Sequence, residues 1–141
     1  VEDQHVHAPD IAKKHIPLLS VILATPAGFN AIRKTVSHLR SQTICSSLEL
    51  VLVTPSQALP DLEAEELSGF ARYQVVEIKK FQSIGQANAA GIRKATASII
   101  ALAEDHCFPD PRWAEKLIAA HQSPWAAVGP SVRNANPNTA V

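Results

Sequence analysis

Glu104, Asp105 and His106 stand side by side in ALAEDHCFPDPRW, residues 101 to 113. Two carboxylates and an imidazole can hold a divalent cation. Magnesium and manganese accept carboxylate oxygen and keep waters that substrate phosphates can replace. An imidazole shifts the preference toward manganese or softer metals. Along an extended chain side chains alternate, so Glu104 and His106 point one way and Asp105 the other. The spacing therefore pairs Glu104 with His106 as metal donors. The competing reading is a solvated polar loop, because loops at strand ends are commonly polar.

A second candidate is FQSIGQANAAGIRKA, residues 81 to 95. Ser83 reads as a helix N-cap, with Gln86 three residues on as in a capping box. Free N–H groups at a helix start attract phosphate, and Ser83, Gly85 and Gln86 are placed to contribute. The segment is neither a Walker A loop nor Gly-x-Gly-x-x-Gly. Its competing reading is a well-capped helix packed through small residues. Cys107 lies beside His106, but neighbours in an extended chain diverge and no third group orients them, so a packed cysteine is the better reading. Trp113 and Trp125 read as core or shell aromatics rather than sugar platforms.

These groups need a scaffold. Leu18–Ala24, Leu48–Val53, Tyr73–Ile78 and Ser98–Ala103 are short apolar runs that read as buried strands. Ala126–Val132 is a possible fifth. Between them, Ala31–Arg40 carries Ile32, Val36 and Leu39 at helical spacing, with Asn30 as cap. Leu59–Phe70 reads as an acidic helix with Leu62, Leu67 and Phe70 inward. Ser83–Ala95 is expected to bury Ile84, Ala87, Ala90 and Gly91. Asp110-Pro111 reads as an N-cap and first helical residue for a helix with Trp113, Leu117 and Ile118 inward and His121 at its end. Alternating strands and helices define an α/β class with a mainly parallel sheet. If the strand order is 3-2-1-4, the crevice lies between the first and fourth strands, where such sheets bind ligands. Thr25 then falls near Glu104 and His106.

Composition narrows the function classes. The 141 residues are 46% hydrophobic and 18% charged, with 13 basic and 13 acidic side chains. That is a globular composition, and its zero net charge argues against nonspecific binding to nucleic acid or an acidic membrane. Apolar runs are strand-sized, so membrane association is expected only through further segments. Cys45 and Cys107 form neither a disulfide framework nor a zinc pattern. Residues 1–17 read as a polar arm or linker. With no methionine and the polar ending RNANPNTAV, the chain is expected to be a piece of a longer protein.

The order of these segments resembles the amino-terminal half of a family-2 glycosyltransferase, an inverting family with the Rossmann-like GT-A fold. LSVILATPAGFNAIRKTVSHLRSQT resembles its opening strand, loop and helix; LELVLV resembles its second strand. SIGQANAAGIRKATASIIALAEDHCFPDPRWAEKLIAAH resembles its donor-site helix, fourth strand, metal-motif region and following helix. The resemblance spans residues 18–137 and implies a donor-binding domain truncated on its C-terminal side. It implies a nucleotide-sugar donor, a glycan, lipid or other hydroxyl acceptor, a divalent cation (manganese or magnesium) and a cytoplasmic location. Glu104-Asp105-His106 takes the place of the Asp-x-Asp signature. Glu104 then lies near the donor ribose, and His106 at the metal. Thr25, Thr54, Gly85, Asn88, Glu104 and Asp105 become the donor-binding candidates, and the catalytic base is expected outside this chain. Two positions depart from the pattern: Thr54-Pro55 follows the second strand where an acid is usual, and His106 replaces an acid. These departures favour the alternative of a noncatalytic GT-A-like binding or scaffolding module. A dinucleotide-binding Rossmann domain is the weaker third reading, since no Gly-rich turn follows the first strand.

Overall fold

The computed structural model describes residues 16–55, 63–134 and 138. Four strands, β1 (Leu19–Ala24), β2 (Leu48–Pro55), β3 (Arg72–Ile78) and β4 (Ile99–Ala103), form one sheet in the order β3-β2-β1-β4. Every pairing is parallel. The helices are α1 (Phe29–Arg40), α2 (Ile84–Ile92) and α3 (Trp113–Ala120). The expected α/β architecture holds, and the observed order meets the condition that puts the crevice between the first and fourth strands.

β1 is buried along its whole length because it has a neighbour on each edge and helices on both faces. Alternation along β1 and β2 divides the core in two. Leu19, Val21, Leu23, Leu48, Leu50 and Leu52 meet α1 and α3 through Ile32, Val36, Leu39 and Leu117. Ile22, Ala24, Val51 and Val53 meet α2 through Ala87. Gly91 brings α2 close to the sheet. A Cβ there would lie 2.5 Å from Ile22 Cγ2 and 2.9 Å from Val53 Cγ2, so the position admits only glycine without a shift.

Some expected elements differ. The described part of the acidic segment holds only a 3₁₀ turn, Ala64–Leu67, with Leu67 buried. Leu62 and the start of that segment lie outside the described residues, as do residues 1–15 of the polar arm. Ala126–Val132 forms no strand, and Trp125 stands exposed. Gly129-Pro130 interrupts that run, and proline has no N–H for a ladder. Ile84 is half exposed rather than inward, because Ala87 and Gly91 make the close approach of α2. Gly28, not Asn30, occupies the α1 cap position.

Asp110 does not cap α3. The helix starts at Trp113, and the N-cap position, Arg112, makes no side-chain cap bond. The buried amide of Gln42 serves instead. Its Oε1 accepts from Ala114 N at 3.0 Å, and its Nε2 donates to the Asp110 carbonyl at 2.7 Å. One side chain at the end of α1 thus ties down both the loop before α3 and the first turn of α3. Gln42→Ala strands a buried N–H, and we expect a loss of about 1–3 kcal/mol by denaturant titration.

At the amino-terminal edge of the sheet a carboxylate is fully buried. Glu49 accepts from Ser20 Oγ at 2.5 Å, Gln74 Nε2 at 2.9 Å, and Thr96 N and Oγ1 at 2.7 and 3.0 Å. Arg72 Nε lies 3.3 Å away. Burial pushes the Glu49 carboxyl up, but the bonds from Ser20 and Thr96 and the charge of Arg72 outweigh it and leave the group below the usual range. A depressed folded-state value contributes stability above the unfolded value, and that contribution is lost as pH falls through the folded one. Glu49→Gln should therefore cost about 2–3 kcal/mol at neutral pH. It should also flatten the loss of thermal stability on acidification below the ordinary glutamate range.

Candidate functional site

The carboxyl ends of β1 and β4 meet at the point where the sheet changes direction of winding. The last pair between them is Leu23 and Ala103, so Glu104 leaves the sheet beside Ala24, the final residue of β1. A cleft of about 250 Å³ opens there, lined by Ala24, Pro26, Phe81, Ile84, Glu104, Asp105 and His106. Its walls are apolar on the β1 and α2 sides and ionisable on the β4 side.

Beyond β4 the chain is not extended. It turns, and Cys107 N donates to the Glu104 carbonyl at 3.2 Å. The alternation expected for Glu104, Asp105 and His106 therefore fails. Asp105 joins the other two: its Oδ1 lies 2.8 Å from His106 Nδ1, while His106 Nε2 lies 3.3 Å from Glu104 Oε2. The imidazole bridges both acids. The hydrogen bond to Asp105 raises the His106 pKa, aided by the charges of Asp105 and Glu104. The same acids act on Cys107. Burial and then the Glu104 charge push its thiol up, which disfavours a nucleophilic thiolate.

The other candidates are placed unequally. Thr25 follows Ala24, the last residue of β1, while Thr54 lies within β2 and pairs with Glu77 of β3. Neither lines the cleft. The Thr25 hydroxyl accepts from Ala27 N at 3.2 Å and lies 3.3 Å from the Ala27 carbonyl, shaping the loop after β1. Thr54 is buried, and its Oγ1 has no hydrogen-bond partner. Asn88 Oδ1, on α2, is likewise buried and unpartnered. Ser83 caps α2 as expected, accepting from Gln86 N at 3.2 Å. Gly85 is exposed beside it, with open space where a side chain would stand. Sequence reasoning missed the apolar walls Pro26, Phe81 and Ile84, whose only signal was their position next to a strand end or helix start.

Among the described residues no group of three His, Cys, Asp or Glu side chains is arranged to enclose a metal ion. Glu104 and His106 provide two donors of suitable chemistry, oxygen and imidazole nitrogen. That set fits a cation that takes its remaining ligands from water and phosphate, not a cage closed by protein. Ligation requires neutral imidazole, so a proton and a metal compete at His106.

Known proteins give this geometry a context. A model of glycosyl transferase family 2 matches residues 20–140. The fold is similar to the crystal structure of TarS from S. aureus, with TM-score 0.59 at 15% identity over 74% of this chain and 20% of that one. A structure of S. aureus TarS 1–349 in complex with UDP gives the same score and identity over 74% of this chain and 32% of that one. This chain thus spans a fifth to a third of those chains. A search of curated protein sequences returns no match.

Replacing Asp105 with Asn removes the strongest partner of the imidazole. The His106 titration followed by NMR should move down toward an ordinary histidine value.

Proposed function

From the premise that the chain belongs to glycosyl transferase family 2, we propose that residues 18–137 bind the nucleotide-sugar donor of an enzyme that transfers a sugar to a hydroxyl acceptor. The observation that carries this reading is the convergence of Glu104, Asp105 and His106 on one cleft at the carboxyl edge of the sheet. Open α/β sheets bind ligands at such a point, where strand order reverses.

The walls divide the work. Pro26, Phe81 and Ile84 offer apolar contact and exclude water. Glu104 and His106 would hold a divalent cation, which when bound neutralises charge on the departing diphosphate. Asp105 keeps the imidazole in place through Nδ1, leaving Nε2 for the ion once the ring is neutral. Inverting transfer also needs a carboxylate base on the acceptor hydroxyl. Asp105 is engaged by His106, and Asp110 lies outside the cleft lining. The base belongs in this reading to another part of the protein, and the chain alone does not complete transfer.

A second reading is a GT-A-like module that binds without catalysis. Thr54 and His106 favour it, because each stands where the family pattern has an acid.

Calorimetric titration of the chain with UDP and other nucleoside diphosphates, with and without manganese, tests the first reading. Binding should require manganese and should be lost in Glu104→Ala/His106→Ala. It should weaken as pH falls through the raised His106 pKa, where the protonated ring no longer ligates. Binding unaffected by both the metal and the double substitution would move the donor site elsewhere. No binding, in this chain and in a longer one, would favour the noncatalytic module.

A further inference from the structure

We propose that Thr35, on α1 and outside the cleft, is the positioning residue of the Glu104–His106 cluster. As a statement about donor binding, this rests on the reading above; as a statement about the turn, it stands alone.

Thr35 is only 1% exposed and lies on the apolar face of α1 between Ile32, Val36 and Leu39. A hydroxyl there needs a partner, because burying an unbonded one is unfavourable. Threonine inside a helix usually finds its partner in the carbonyl one turn earlier. Thr35 instead donates out of the helix, to the Asp105 carbonyl at 2.8 Å, across 70 residues of sequence.

That carbonyl has a particular place. Glu104 to Cys107 form a four-residue turn closed by Cys107 N on the Glu104 carbonyl. The peptide joining Asp105 to His106 is its central peptide. The two common forms of such a turn differ by a flip of this peptide, and the flipped form needs a positive φ at the third residue, here His106. No non-glycine residue among those described has positive φ, so the turn is in the unflipped form. The Thr35 bond grips the atom that would swing away in a flip. Holding it fixes the backbone from which both the Asp105 and the His106 side chains depart, and hence the bridge from His106 to both acids.

The rest of α1 supports the same loop without touching the cluster. Phe108 lies between His38, with ring centroids 5.3 Å apart, and Lys34, whose Nζ is 4.1 Å from the ring centre. Gln42 holds the Asp110 carbonyl. Residues 35 and 38 lie one turn apart on α1 and Gln42 follows just past its end, so this segment holds the loop at 105, 108 and 110 in turn. The Thr35 bond is made to the turn that bears the acids and the imidazole.

The test compares Thr35→Val, which keeps the shape and removes the hydroxyl, with Thr35→Ser, which keeps the hydroxyl. Amide hydrogen exchange and UDP affinity in the presence of manganese are measured on the whole chain. In Thr35→Val, exchange at residues 104–107 should accelerate while β1 and β2 keep their protection. UDP affinity should fall by about tenfold, the effect of losing one buried hydrogen bond. Thr35→Ser should restore both. Wild-type exchange at 104–107 in Thr35→Val, or no rescue by serine, overturns the proposal. If Thr35→Val loses protection throughout the sheet, Thr35→Ala replaces it and is judged by the same criteria. If the wild-type chain does not bind UDP, the donor reading fails and the exchange comparison alone decides the role of Thr35.

Discussion

Parallel pairing of β1 with a neighbour on each edge is the constraint from which the rest of this molecule follows. A strand with two partners and two covered faces must be apolar along its length, and LSVILA is nearly so. Its single internal polar residue, Ser20, survives because its hydroxyl meets Glu49. Parallel strands also align their ends, so each strand delivers its following loop to the same edge. Chemistry can gather at that edge even though the contributing residues are far apart in sequence.

The two edges of the sheet treat polar groups in opposite ways. At the amino-terminal edge, Glu49 is surrounded by Ser20, Gln74, Thr96 and Arg72, which satisfy its oxygens and lock β1, β2, β3 and the approach to β4 together. At the carboxyl edge the Thr54 hydroxyl has no partner, and Glu104 and His106 lie largely exposed around an open cleft. A closed network serves stability, while open and unsatisfied groups are available to a ligand. The contrast is one of chemistry: satisfied polar groups at one edge, exposed and unpartnered ones at the other.

Between sheet and site stands α1. On its inner face Ile32, Val36 and Leu39 pack on the sheet, while Thr35 on that face and Gln42 just past the helix end reach the loop after β4. The loop therefore does not depend on its own bonds alone for its shape. It is held by side chains that the chain laid down some seventy residues earlier.

The sequence by itself determined the class and the segment that carries the ionisable groups. These follow from local patterns: apolar runs that only a doubly covered strand can bury, helical spacing between them, and a change to acids where β4 stops. Ser83 as a cap was equally readable, because cap and helix are neighbours in the chain. What the tertiary structure alone decided was direction and partnership. Asp105 joins Glu104 and His106 because the chain turns where alternation assumes it is extended. Asp110 loses the capping role to Gln42, and the Thr25 hydroxyl is taken up by its own loop rather than the cleft. Thr54 keeps an unmatched hydroxyl in a buried place. Each of these outcomes depends on which distant backbone group comes within hydrogen-bond reach, and periodicity describes only what neighbours in sequence do to one another.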